Sequence, residues 1–187
     1  LFADKIGELI TSVDLVDIEN LIGRCVVSGN VRRSAALALG EFDDHRYLEM
    51  KNDQEKLYHH RWGSNNSFNA PVGMDYSWHA EQSQKNGEPG YIWLENARAY
   101  GRMKDGVNYD DAEVVGFNPC VEQSLHNAEM CCLVETFPAK HESFDDYLAT
   151  LKVAYLYGKT VTLVNTHWPE TNSIMLKNRR IGLSQSG

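Results

Sequence analysis

Long apolar runs are missing from this sequence. The longest span only a few residues, Ala35 to Leu39 among them. A membrane-spanning helix needs about 20, so a transmembrane segment is excluded and no membrane partner is expected. Cysteine is scarce, with four residues in 187. That is too few for a disulfide-stapled secreted scaffold, and reduced thiols in a cytoplasmic protein are the expectation. Positive charge is outnumbered: 18 Lys+Arg stand against 26 Asp+Glu, a net charge of -8. This excludes a broad basic surface for a nucleic acid polymer but leaves room for a local pocket taking one phosphorylated ligand. No basic stretch followed by an apolar segment opens the chain, so secretion has no support. Internal repeats and low-complexity stretches are absent as well.

What is there is ordinary globular material, 42% hydrophobic and 24% charged. The length suits one domain of about 100–200 residues. The chain starts at Leu1 without Met and stops in the Ser/Gly-rich turn Leu183 to Gly187. We expect residues 1–187 to be a single partial domain of a longer protein, with parts missing on both sides. Apolar faces would then be left uncovered.

Leu9 to Val27 reads as a helix, with Leu9, Val13, Val16, Leu21 and Ile22 sharing one face. Gly29 ends it. Val31 to Leu39 reads as a buried strand stopped by Gly40. Asp43 or Asp44 caps a second helix through about Asp53, with Tyr47, Leu48 and Met50 turned inward. Trp62 to Asn69 has the composition of a Ser/Asn-rich turn, and Asn86 to Gly90 that of a tight turn. Tyr91 to Ala97 is extended or opens a helix, and Tyr100 to Asp111 is a polar surface excursion. Glu113 to Phe117 and Cys132 to Phe137 read as strands on either side of a loop holding Cys120 and Glu122. Phe144 to Tyr157 is a helix capped by Ser143, with Phe144, Tyr147, Leu148, Leu151 and Tyr155 as its stripe and Gly158 in the C′ position. Thr160 to Val164 reads as a strand, Pro169 opens a helix through about Asn178, and Ile181 to Leu183 is strand-like. Helices alternating with short apolar strands favour an α/β class with largely parallel pairing.

Chemistry concentrates around three cysteines, Cys120, Cys131 and Cys132. The adjacent Cys131-Cys132 pair does not have zinc-ligand spacing, and the scattered histidines add no metal pair, so no metal is expected. His59-His60 reads as solvated. In Asn118-Pro119-Cys120-Val121-Glu122, Pro119 fixes φ and stiffens the loop. If the loop is extended, Cys120 and Glu122 point to one side. A thiol and a carboxylate there, with the Asn118 amide beside them, can abstract a hydrogen atom or proton and orient hydroxyls.

That loop, together with Glu129-Met130-Cys131-Cys132-Leu133-Val134-Glu135, Gly29-Asn30-Val31-Arg32-Arg33-Ser34-Ala35 and Lys177-Asn178-Arg179-Arg180-Ile181-Gly182, resembles the catalytic subunit of ribonucleotide reductases, most closely the class II, adenosylcobalamin-dependent enzymes. The resemblance follows the same order along nearly the whole chain and is weakest from Tyr100 to Asp111. It implies the central part of a ten-stranded α/β barrel with a finger loop through its centre. Cys120 would be the thiyl radical site on that loop, taking the 3′ hydrogen atom of a ribonucleotide. Glu122 would be the general base for the 3′-hydroxyl, and Asn118 would bond the sugar hydroxyls. A buried loop tip would shield the radical. The family's reducing cysteine follows the radical cysteine by eleven residues, which falls on Cys131. Its partner lies upstream in the family and is not in this chain. Cys132 would be structural, since an adjacent Cys131–Cys132 bridge is strained, and Cys25 a buried, inert thiol.

The resemblance also implies substrate contacts at Asn65, Asn66 and Ser67 and at Arg32, one arginine of a pair of which a strand lets only one face inward. A structural ion pair is the plainer account of that pair. For Lys177, Arg179 and Arg180, pairing with a helix dipole is the better account. Adenosylcobalamin, a thioredoxin-like dithiol reductant and, in the full-length protein, a nucleotide allosteric effector are the implied cofactor and partners. The competing readings are a class I large subunit, a non-catalytic nucleotide-binding or thiol-redox module, and a structural fragment. The 187 residues alone are expected to be inactive.

Overall fold

The computed structural model describes residues 5–102 and 104–186. They fall into two compact units, Leu1–Ala112 and Glu113–Gly187. Both mix helices with short strands, the α/β class expected.

The first unit opens with α1 (Ser12–Ser28). The Thr11 hydroxyl accepts from the Asp14 N–H at 3.3 Å, and the Asp14 carboxylate accepts from the Thr11 N–H at 2.9 Å. This reciprocal cap starts the helix. Its inward face is not the apolar stripe expected. Val16 is buried, but Leu9 and Ile22 are exposed, and Asp14, Asp17 and Asn20 are buried instead. The reason is a buried ionic cluster. Asp17 accepts from Arg61 Nε at 2.6 Å, from an Arg61 terminal nitrogen at 2.7 Å and from His60 Nε2 at 2.9 Å. His60, expected in solvent, is therefore 2% exposed.

Three parallel strands follow in the order β1 (Ala36–Glu41), β2 (Ser64–Asn69), β3 (Gly90–Ile92). The short helices α2 (His45–Leu48) and α3 (Gln54–His59) connect the first two, and α4 (Ser77–Asn86) connects the second two. Asp44 caps α2, its carboxylate accepting from the Tyr47 N–H at 3.1 Å. Tyr47, Leu48 and Met50 are buried as expected. Two readings are corrected here. Gly40 does not stop β1 but lies inside it, because a Cβ there would sit 2.3 Å from the Tyr47 ring. The Ser/Asn-rich stretch is not a turn: Ser64–Asn69 is the central strand, its polar side chains bonded in place. Asn20 Nδ2 donates to Ser64 Oγ at 3.1 Å, and Ser64 Oγ donates to Asn66 Oδ1 at 2.8 Å. The core gathers Val16, Ala38, Tyr47, Leu48, Met50, Phe68 and Ala70. Beyond β3, α5 (Leu94–Ala99) completes the unit.

The second unit has a two-stranded antiparallel hairpin, β4 (Gly116–Phe117) and β5 (Ser124–Leu125), and a parallel pair, β6 (Leu133–Thr136) and β7 (Gly182–Gln185). The β6–β7 crossover carries α6 (Phe144–Val161) and α7 (Pro169–Asn178). Ser143 caps α6, its hydroxyl accepting from the Asp146 N–H at 3.2 Å. The helix runs through Gly158 rather than ending there. A Cβ at Gly158 would meet Val134 at 3.1 Å, so this glycine lets the helix lie on β6. The expected strand at Thr160 to Val164 is the last turn of α6 and the turn after it.

Candidate active site

The hairpin presents the cysteine loop. The Asn118 N–H donates to the Gln123 carbonyl at 3.1 Å, and the Val121 N–H donates to the Asn118 carbonyl at 2.9 Å. Residues 118–121 thus form a tight turn with Pro119 at its second position, where a fixed φ is favoured. Cys120 sits at the tip. Val121 carries a φ of +67°, outside the extended region. The loop is not extended, and alternation of side chains is not what gathers the groups. Asn118 gathers them. It is 4% exposed. Its Nδ2 donates to Glu122 Oε1 at 2.5 Å, and its Oδ1 accepts from the Gln123 N–H at 3.0 Å. A hydrogen bond to a carboxylate this short is charge-assisted and stronger than a neutral one.

Cys131 lies within reach of the same groups. Burial pushes its thiol up to about 11, with the Glu122 charge and then Cys132 adding to the rise; a hydrogen bond with the Asn118 side chain pulls the other way. Cys131 is therefore a protonated thiol at neutral pH, suited to deliver hydrogen rather than to attack as thiolate. Burial also raises the Cys132 thiol. All four cysteines are free. Cys120 is exposed, not shielded as a buried tip, and Cys25 is exposed rather than buried.

The second unit thus assembles Asn118, Cys120, Glu122 and Cys131. The other candidates belong to the first unit. Asn66 and Ser67 are buried in β2, and Asn65 is exposed. The Asn66 N–H donates to Glu88 Oε1 at 3.1 Å, and the Ser67 carbonyl lies 2.8 Å from the Tyr47 hydroxyl. Arg32 and Arg33 precede β1 instead of lying in it. Both are exposed, and among the described residues neither forms an ion pair. No group of three or more His, Cys, Asp or Glu that could hold a metal occurs among the described residues. Among these residues, too, no helix is long and apolar enough to cross a membrane.

The terminal basic residues are paired. Lys177 Nζ lies 2.6 Å from Glu113 Oε2. Arg179, left-handed at φ 54°, donates to Thr162 Oγ1 and to the Lys159 carbonyl at 2.7 Å. Arg180 Nε reaches both oxygens of Glu129, at 2.9 and 3.0 Å. Sequence reasoning missed Glu129, whose partner is 51 residues away. It also missed Gln123, a buried residue next to Glu122 whose side-chain amide has no hydrogen-bond partner among the described residues. A lone buried carboxamide has no periodic signal to betray it.

No family model matches the chain. Over 183 residues it is 52% identical to an adenosylcobalamin-dependent ribonucleoside-triphosphate reductase of Euglena gracilis, covering 97% of this chain and 25% of that protein. The enzyme of the same name from Lactobacillus gasseri is 48% identical over 188 residues, covering 98% and 25%. The crystal structure of a B-12 dependent, class II ribonucleotide reductase superposes with a TM-score of 0.82 at 44% identity, again covering 98% and 25%. The chain spans about a quarter of the length of the curated relatives it matches.

Proposed function

We propose that this chain is the finger-loop segment of a class II ribonucleotide reductase, the part of the catalytic barrel that reduces ribonucleoside triphosphates to 2′-deoxyribonucleotides. The observation that carries the reading is the assembly of a tip thiol, a carboxylate and a protonated second thiol around Asn118. Near-complete alignment with enzymes of that name supports it.

Adenosylcobalamin, when bound, supplies the radical. That chemistry needs a thiol accessible from outside the loop, and the exposed Cys120 fits it; Cys120 and its exposed neighbour Val121 are the face of this chain that would meet the cofactor. The Cys120 thiyl takes the 3′ hydrogen, breaking C–H and forming S–H. Glu122, oriented by Asn118, takes the 3′-hydroxyl proton. The 2′-hydroxyl leaves as water after accepting a proton from the raised-pKa Cys131 thiol. Cys131 and a cysteine outside this chain together give up two hydrogens, one leaving in the water and one ending on C2′ in place of the lost hydroxyl, and the two electrons of the thiol pair are released as it closes a disulfide. Cys120 then returns its hydrogen to C3′, and Glu122 returns the proton to the 3′ oxygen. A thioredoxin-like dithiol re-reduces the pair. Arg32, Asn65, Asn66 and Ser67 are the proposed substrate contacts, a nucleotide effector acts elsewhere in the full-length protein, and the enzyme works in the cytoplasm.

The test uses the full-length protein with a ribonucleoside triphosphate, a dithiol and adenosylcobalamin. Deoxynucleotide formation that requires the cobalamin and vanishes in Cys120→Ala is expected. Activity that ignores cobalamin and needs a second subunit would move the protein to class I, and no activity in either condition would remove the reading.

A further inference from the structure

We propose that Arg180 is a positioning residue, a clamp that holds the Cys131 segment against the hairpin carrying Cys120. Its catalytic consequence rests on the function proposed above; the clamp itself rests on geometry. The Arg180 guanidinium joins the two segments that carry the thiols. Nε contacts both Glu129 oxygens at 2.9 and 3.0 Å, and a terminal nitrogen donates to Ser124 Oγ at 3.1 Å. Ser124 is the first residue of β5, directly after the cysteine loop. Glu129 stands two residues before Cys131 and is fully shielded, 0% exposed at its side chain against 9% for Arg180. The same carboxylate accepts from the His126 N–H at 2.8 Å, so it also pins the chain leaving the hairpin.

The backbone beside Arg180 holds the other side of Cys131. The Gly182 N–H donates to the Cys132 carbonyl at 2.8 Å. A Cβ at Gly182 would lie 2.3 Å from Leu133 Cδ2, so any larger residue there would have to turn the half-exposed Leu133 side chain aside. On the near side the Met130 N–H faces Met175 Sδ at 3.3 Å. Cys131 is thus bracketed by Glu129, Met130 and Cys132, and Arg180 and Gly182 hold two of those three. A lysine ammonium is a point charge and cannot match a fork that spans a carboxylate and a hydroxyl on separate segments.

The experiment compares the full-length wild type with Arg180→Lys and with the isosteric Glu129→Gln. On protein first reduced with a dithiol, iodoacetamide modification of Cys131 is measured by peptide mass spectrometry relative to Cys25 on α1 in the same sample, alongside kcat and KM for deoxynucleotide formation. Loosening the clamp is expected to raise the Cys131-to-Cys25 ratio about tenfold and to lower kcat roughly 100-fold, the order that a misplacement of about 1 Å costs, with KM unchanged. If Arg180→Lys does not fold, Glu129→Gln carries the test. A wild-type ratio in the folded variants overturns the proposal, whatever happens to kcat. So does a raised ratio with unchanged kcat in an active enzyme. A raised ratio in a protein whose wild type makes no deoxynucleotide keeps the clamp and removes the proposed function instead.

Discussion

Asn118 donates from Nδ2 to Glu122 Oε1 at 2.5 Å while its Oδ1 is occupied by the Gln123 N–H at 3.0 Å. Both ends of the carboxamide are therefore used to hold the loop, and the direction of the Glu122 carboxylate depends on them. If Glu122 is the base proposed above, Asn118→Ala should lower kcat roughly 100-fold by misorienting it. Asn118→Asp should do something different. Two carboxylates at this separation cannot both ionise easily, so one pKa rises. Because the base must be deprotonated, the acid limb of the kcat–pH profile should move to higher pH. An unmoved limb in Asn118→Asp would show that the two side chains do not share the contact in solution.

Glu122→Gln separates a catalytic base from a thiol-redox module. If the proposed function holds, turnover should fall by about 100- to 10,000-fold, whereas disulfide exchange by the cysteines needs no carboxylate. Steady-state rates of deoxynucleotide formation and of dithiol-dependent disulfide reduction, measured on one preparation, decide between them.

Cys131 offers a pH prediction. Its folded thiol is raised to about 11 by burial first and by Glu122 second. The alkylation rate should climb steadily with pH from 7.5 to about 10 without levelling, because reaction needs the thiolate. Removing the nearby charge in Glu122→Gln should speed alkylation at fixed pH. The stability consequence has a definite sign. The folded state keeps the proton that the unfolded state releases near 9, so stability falls as pH rises from about 9 towards 11. A plateau in alkylation below pH 9 would contradict the raised value.

How much of this was legible beforehand depends on which force set each element. Helix ends governed by local capping were readable: Ser143 before α6, Asp44 before α2, and Pro169 opening α7, which ends at Asn178 as expected. Glycines were misread where their role is tertiary. Gly40 and Gly158 look like stops in one dimension, yet each marks a close approach, to the Tyr47 ring and to Val134. The strand Ser64–Asn69 was hidden because three of its four buried side chains, Ser64, Asn66 and Ser67, are polar, and the Ser64 hydroxyl and the Asn66 N–H are bonded to Asn20 and Glu88, distant in sequence. For the site, the cysteine and carboxylate identities were visible. The turn that gathers them was not, because it depends on Asn118 bonding to both Glu122 and the Gln123 backbone.

Gly40→Ala tests the close-approach account. The added Cβ would fall 2.3 Å from one Tyr47 ring carbon and 2.4 Å from the next, and the buried ring is fixed by its hydroxyl, 2.6 Å from the Ala38 carbonyl. Overpacking of this kind costs about 1–3 kcal/mol. Gly29→Ala is the control, since nothing lies within 4 Å of its Cβ position. Urea denaturation should show a lower midpoint for Gly40→Ala and little change for Gly29→Ala. Equal midpoints would mean that β1 and α2 are not packed through this contact.

The Asp17 cluster should contribute to the acid stability of the first unit. Burial pushes the Asp17 carboxyl up, but hydrogen bonds and charge from Arg61 and His60 outweigh that, and the net shift is downward. A carboxyl lowered on folding stabilises the native state above its unfolded value, and that contribution is lost as pH falls through the folded value. Denaturation midpoints should therefore drop as pH falls from about 4. In Asp17→Asn the loss should be present at every pH, because Arg61, 3% exposed, is left as a buried charge without its carboxylate, a cost of about 3–5 kcal/mol. Replacing the pair together, Asp17→Leu with Arg61→Met, removes the stranded charge and should recover most of that loss. A double variant no more stable than Asp17→Asn would mean that the cluster also holds α1 through His60, whose Nε2 loses the same acceptor.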